Sequence, residues 1–215
     1  MNPFPVRAFS TLCLLLLMTA CSILPKSEPV AAYRLPPMVS GGQGVSIQST
    51  AASDDVHGHS LRIVTPNGSR ILDSDRILVL PENNLVQFYA NARWTDPAPV
   101  LLRNRLLQAF LADGRIPYLS SDDSSVMADQ ELIGDLISFQ SEYHDGKPIV
   151  VIRFSASLID QASRRIVAIQ TFEVQQAAVG VQLEEVVTAF GQASDALATQ
   201  VIGWVIAQPR VNMKR

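Results

Sequence analysis

The chain has 215 residues, two of them cysteine, with 17 Lys and Arg against 20 Asp and Glu and a formal net charge of −3. That mildly acidic balance lacks the basic patches that nucleic-acid binding demands. The length suits one domain plus a leader, enough to bury a core without covalent staples.

The leader comes first. Arg7 is followed by the uncharged run Ala8 to Ala20, which closes in "LLLLMTAC". A bilayer core needs roughly 20 apolar residues, so the run is too short to span it and reads as a secretory signal over residues 1–20. "MTAC" resembles a bacterial lipobox; Thr19 and Ala20 fit it, and Met18 stands where Leu is commoner. The resemblance implies a diacylglyceryl group on the Cys21 sulfur, cleavage just before that residue and a further acyl chain on its amine. Ser22, where Asp would retain the protein in the inner membrane, implies passage to the periplasmic face of the outer membrane. An ordinary secreted chain is the alternative. Each buried methylene contributes about 0.8 kcal/mol, so several chains on one residue hold firmly. Arg7 is the one charge in residues 1–20, so the mature chain has 16 basic and 20 acidic residues, a net of −4. Cys13 leaves with the signal, and no internal disulfide can form.

Residues 21–30, with Pro25 and Pro29, read as a tether between lipid and body. "AAYRLPP" is a short extended piece stopped by Pro36 and Pro37. The Gly/Ser-rich stretch over residues 40–60 is expected to be a mobile loop within a body that runs from 31 to 207, with 208–215 a tail. "HSLRIV", "DRILVLP" and "NLVQFYAN" are strands bounded by turn residues. A helix then starts at Asp96 or Thr95 as N-cap, with Pro97 in its first position, and ends at Gly114. Val100, Leu101, Leu106, Leu107, Phe110 and Leu111 form its apolar stripe.

"IPYL" is a further strand, and "ELIGDLISFQSEY" another, with a bulge expected at Gly134-Asp135. Asp145-Gly146 signals a hairpin into "PIVVIRFSASLI", whose Val150, Ile152, Phe154, Ala156 and Leu158 alternate onto one face. "QASR" turns the chain into "RIVAIQTFEVQ", completing an antiparallel meander. The last element is a helix over Gln182 to Ala207, with Leu183, Val186, Val187, Phe190, Leu197, Val201 and Trp204 inward and Gly191 and Gly203 as weak points. The expected fold is a single α/β or α+β domain: a mixed sheet of five or more strands packed by two main helices.

"CSILP", "YRLP", the run from "TPNGSRILDSD" to "LLRNRLLQAF", "GDLISFQSEY" and the closing amphipathic helix together resemble the ABC-type transport auxiliary lipoprotein family. The likeness runs from Cys21 to the last helix, except for Ser40 to Ser60. It implies a three-layer α/β domain working with an inner-membrane ABC transporter and a periplasmic partner of the mammalian-cell-entry (MCE) type. Such systems move phospholipids or other hydrophobic molecules across the envelope. The lipoprotein would be their outer-membrane, non-catalytic docking subunit, or else a lipid-binding module carrying cargo in an apolar groove. A homo-oligomer is left open.

Candidate sites are few. His57 and His59 have only His144 to complete a ligand set, so no metal site is expected. Asp113, Asp122, Asp123 and Asp129 lack the spacing of a calcium loop. There is no G-x-S-x-G elbow, Walker A loop or unlipidated thiol in the mature chain, so no catalytic residue is assigned and no cofactor is expected beyond the lipid on Cys21. Asn67-Gly68-Ser69 reads as a turn. Phe88, Tyr89 and Trp94 are candidate partner-binding aromatics, with core packing as the competing reading.

Overall fold

Alternation of apolar and polar side chains over residues 130–177 builds the backbone of the domain. In the computed structural model, which describes residues 29–38, 59–82 and 84–208, this region forms three long antiparallel strands: β7 (Gln130–His144), β8 (Lys147–Asp160) and β9 (Arg165–Ala177). The expected signal, Cys21, the glycine–serine loop up to residue 58 and the tail after 208 lie outside the described residues. Asp145 (φ 51) and Gly146 (φ 75) close the β7–β8 hairpin with the two positive-φ residues a tight turn of this hand requires.

The other edge of β7 is filled by three short strands laid end to end. β2 (Ser60–Ile63), β3 (Asn67–Gly68) and β4 (Arg76–Leu80) all run parallel to it. The turn expected at Asn67-Gly68 is thus a strand pair, with Asn67 Nδ2 donating to Asp135 Oδ1 at 3.2 Å. Outside them lie β6 (Tyr118–Ser121) against β2, β5 (Gln87–Trp94) against β4, and β1 (Ala31–Tyr33) against β5. The sheet is mixed and nine-stranded. The expected α+β domain with its meander and two helices is what forms.

The irregularity in β7 falls between Leu136 and Ser138, not at Gly134-Asp135. An extra residue there, Ile137, switches parity. Leu132 and Leu136 point toward the helices before it, and Phe139 and Ser141 after it. Gly134 serves another need: a Cβ there would lie 2.1 Å from the Ser155 carbonyl oxygen, so only glycine allows the backbones to approach.

Helix α1 (Ala98–Asp113) begins after Pro97, which is its N-cap without a side-chain hydrogen bond, so the expected Asp96 or Thr95 cap is not used. Gly114, φ 73, ends it as expected, its N–H bonded to the Phe110 carbonyl. The buried face runs through Ala98, Leu101, Leu102, Leu106, Ala109 and Phe110. Leu111, placed in the stripe by its type, is 62% exposed. Helix α2 (Leu183–Ala207) opens with a reciprocal capping box between Gln182 and Glu185 and buries Val186, Val187, Phe190, Leu197 and Val201.

Both helices pack on each other and on the same face of the sheet, α1 over β2, β3 and β6 and α2 over β8 and β9. The result is two layers, and the three-layer stacking implied by the resemblance does not form among the described residues. The reason is on the opposite face, where Arg153 pairs with Glu173 and Ser155 with Thr171, side chains that need no cover. Between sheet and helices sit Trp94, Phe139 and Phe190, with centroids 6.0, 5.1 and 4.9 Å apart. Burying each such ring stabilises by about 1.5–3 kcal/mol.

Candidate functional site

The first described segment is where the chain joins the body. Ala31 to Tyr33 lies parallel along β5, Ala31 beside Ala92 and Tyr33 beside Trp94. Two prolines then end the ladder, since proline has no N–H to give it. The segment is nevertheless held at each step. Thr95 N–H donates to the Tyr33 carbonyl at 2.8 Å. Tyr33 Oη donates to Glu184 Oε1 at 2.8 Å, which raises the tyrosine pKa. The Glu184 backbone N–H and that hydroxyl hold the Glu184 carboxyl below its ordinary value.

Arg105, only 3% exposed, reaches from α1 to both neighbours. Its Nη1 donates to Asp195 Oδ1 on α2 at 2.9 Å, and its Nη2 donates to the Pro36 carbonyl oxygen. The Pro36 ring in turn lies against Gly191 of α2, where an added Cβ would sit 3.0 Å from its Cδ. Gly191 is therefore a notch for Pro36 and not a flaw that packing tolerates. Tyr33, Leu35 and Met38 complete the contact against the core. An open cleft of about 480 Å3 remains between this segment and α1, with Arg34, Asp96, Asn104 and Gln108 among its walls.

Arg103, two residues earlier on α1 and 4% exposed, turns to a different segment. Its Nη1 meets Asp122 Oδ1 at 3.0 Å and Asp123 Oδ2 at 2.5 Å, while its Nε has no hydrogen-bond partner among the described residues. Asp122 also accepts from the Thr65 N–H and hydroxyl, both at 3.1 Å. Burial opposes its ionisation, but the Thr65 bonds and the Arg103 charge outweigh it and the pKa is lowered. Asp129 behaves alike: burial raises its pKa, while Ser60 Oγ and N–H and the nearby His59 bring it down. Asp113 is paired with Arg115 at 2.7 Å. The aspartates are thus engaged by the protein itself, and no group of three or more His, Cys, Asp or Glu gathers among the described residues. His144 lies beside Glu142 at the hairpin, far from His59 at the start of β2, and His57 is outside the described residues.

The three aromatics separate. Trp94 is 1% exposed and edge-on to Phe139 and Phe190, so it belongs to the core and offers no partner a surface. Phe88 is half-buried with the Arg76 guanidinium 3.7 Å above its ring. Tyr89 is also half-buried, its hydroxyl donating to Ser141 Oγ at 3.3 Å, and burial pushes its pKa up to about 12.

An open surface on the meander escaped sequence reading. β9 pairs with β8 alone, leaving its other edge unpaired among the described residues. Beside that edge, on the helix-free face, Ile169 is 61% and Ile166 57% exposed. The signal was present in "RIVAIQTFEV": its apolar residues fall on both parities, so they cannot all face one core. Among the described residues no helix is long and apolar enough to cross a membrane.

Residues 44–202 match the family described as the ABC-type transport auxiliary lipoprotein component, and the chain belongs to that family. It is 30% identical over 149 residues to uncharacterized protein bll6063 of Bradyrhizobium diazoefficiens, an alignment covering 68% of this chain. The chain spans only 39% of the length of that relative. The crystal structure of protein XCC0632 from Xanthomonas campestris is similar with a TM-score of 0.65 and 30% identity, over 69% of this chain and 83% of that one. A second crystal structure, of an uncharacterized protein, shares the fold at a TM-score of 0.64 and 17% identity, over 83% and 99% of the two chains.

Proposed function

We propose that this auxiliary lipoprotein of an ABC-type transport system is its non-catalytic docking subunit, fixed by lipid on Cys21 to the periplasmic face of the outer membrane. The observation that carries the reading is the way the segment after the tether is built into the body. A strand pair, a tyrosine–carboxylate bond, a buried arginine and a glycine notch together bind residues 31–38 to both helices. A leader that merely trailed from the domain would need none of these. Firm attachment at both ends of a short tether keeps the domain at one surface, so that docking becomes near-intramolecular and gains in effective concentration.

The partner is an MCE-type protein joined to the inner-membrane ABC transporter, and the cargo is phospholipid or another hydrophobic molecule. The unpaired β9 edge with Ile166 and Ile169 suits strand addition or an apolar contact, and Phe88 and Tyr89 offer a second, half-exposed patch. The rival reading, cargo carried in the domain's own interior, is disfavoured by the packing of Trp94, Phe139 and Phe190 where such a groove would have to run. Photo-crosslinkers placed singly at Ile166, Ile169, Phe88 and Tyr89 in transporting cells test the docking reading. An adduct with the MCE-type protein at β9 or β5 is expected. Absence of any protein adduct at all four positions would contradict it.

A further inference from the structure

Thr95 and Asp96 are both residue types that cap helices, they stand just before α1, and neither caps it. Both line the cleft between α1 and the entering segment instead. At about 480 Å3 that cleft lies within the roughly 300–1,000 Å3 of small-molecule sites.

The walls are held before any ligand arrives. Buried Arg105 ties α1 to α2 through Asp195 and to the entering segment through the Pro36 carbonyl. The Thr95 N–H bond to the Tyr33 carbonyl joins the entering segment to the end of β5. Walls fixed in this way need little ordering when something binds.

Three charges line the cleft: Arg34, Arg105 and Asp96. Arg105 is already matched by Asp195, which leaves one charge of each sign. Arg34 follows Tyr33, and Asp96 comes two residues after its strand partner Trp94, so both charges stand where β1 and β5 end. They pair neither with each other nor with any other side chain among the described residues. Asn104 and Gln108, one helical turn apart on the α1 wall, likewise have no hydrogen-bond partner for their amides among the described residues. Half-buried Leu35 and Met38 add apolar surface to the same cleft.

This set selects its ligand by charge. A simple anion drawn to Arg34 would be opposed by Asp96, and a simple cation drawn to Asp96 would be opposed by Arg34. A molecule carrying both signs satisfies the two at once. We infer that the cleft takes a zwitterionic phosphoethanolamine headgroup, its phosphate on Arg34 and its ammonium on Asp96. The amides of Asn104 and Gln108 donate to the glycerol ester oxygens, and Leu35 and Met38 meet the first methylenes of the acyl chains. The inference rests on phospholipid being the cargo proposed above.

Calorimetric titration of the lipidated mature protein in maltoside micelles tests it, with protein-free micelles as the blank. The probes are dibutyroyl phosphatidylethanolamine, dibutyroyl phosphatidylglycerol and glycerophosphoethanolamine. The ethanolamine lipid should bind severalfold more tightly than the anionic one. Arg34→Gln should weaken both lipids about tenfold, the scale of one charge-assisted hydrogen bond. Asp96→Asn should weaken the ethanolamine lipid alone and erase the preference. Arg93→Gln, outside the cleft, should change neither. Glycerophosphoethanolamine separates the two sources of this headgroup: weaker binding than the acylated form assigns the cleft to membrane lipid, and equal binding overturns that assignment in favour of the free headgroup. No binding of any probe, or affinities that neither cleft substitution alters, overturns the site. Transfer of labelled phospholipid between the membranes of living cells reports the cargo separately. Transfer without binding overturns the cleft and spares the cargo; binding without transfer does the reverse.

Discussion

Two arginines two residues apart on α1 are both buried, yet they latch different regions by different means. Arg105 closes on Asp195 of the neighbouring helix and on a main-chain carbonyl of the entering segment. Arg103 closes on Asp122 and Asp123, whose side chains are 28% and 73% exposed. The first latch joins three elements inside the packed body; the second pins a polar loop from the outside. Asp195 and Asp122 are similarly shielded, at 25% and 28% exposed, so the difference lies in the second partner: a main-chain carbonyl for Arg105, and for Arg103 the mostly exposed Asp123, whose share surface screening weakens.

The sharpest way to break the contrast is to remove each guanidinium in turn. Arg105→Ala should cost about 3 kcal/mol by urea unfolding, since it strands a helix carboxylate and a carbonyl. Hydrogen exchange over residues 31–38 should rise with it. Arg103→Ala should cost less, about 1–2 kcal/mol, and loosen residues 121–129 instead. Equal losses, or exchange rising in the same segment for both, would erase the distinction.

The two glycines of α2 extend the comparison. Gly191→Val drives side-chain atoms into Pro36 and should destabilise by about 1–3 kcal/mol. Gly203→Ala meets nothing within 4 Å and should stabilise by up to about 1 kcal/mol through helix propensity. Thermal unfolding with opposite signs at these two positions would confirm that only the first is a seat for the entering segment.

Acid gives the mildest test. Asp122 and Asp129 have folded pKa values below their ordinary ones, so they favour the native state at neutral pH and that contribution disappears as pH falls below about 4 through the folded values. Between pH 5 and pH 2 amide protection should fall in residues 121–129 and around Ser60, and also at Tyr33, whose acceptor Glu184 is lowered in the same direction. Protection in residues 121–129 that is unchanged down to pH 2 would contradict the account.

What could be read from the chain follows the range of the interactions. The β7–β9 meander, its Asp145-Gly146 turn and the closing helix α2 are written in local alternation, turn chemistry and helical spacing, and all three form. The face of α1 was displaced because Arg103 and Arg105 look like surface residues by type; only the aspartates and the carbonyl brought to them from distant segments make their burial tolerable. The choice between core and partner surface for Trp94 stays open in the sequence because its neighbours Phe139 and Phe190 are 45 or more residues away. The roles of Gly134 and Gly191 depend on which strand or proline comes against them, information that no local window contains. The pairing of β1 with β5 was equally out of reach, and with it the latch on which the docking proposal stands.

That proposal is tested most directly by separating the anchor from the body. Cys21→Ala, exported behind an ordinary cleavable signal, should yield a domain with wild-type folding stability that no longer supports transport in cells lacking the native protein. Restoration of full transport by this unlipidated form, at wild-type abundance in the periplasm, would contradict the account.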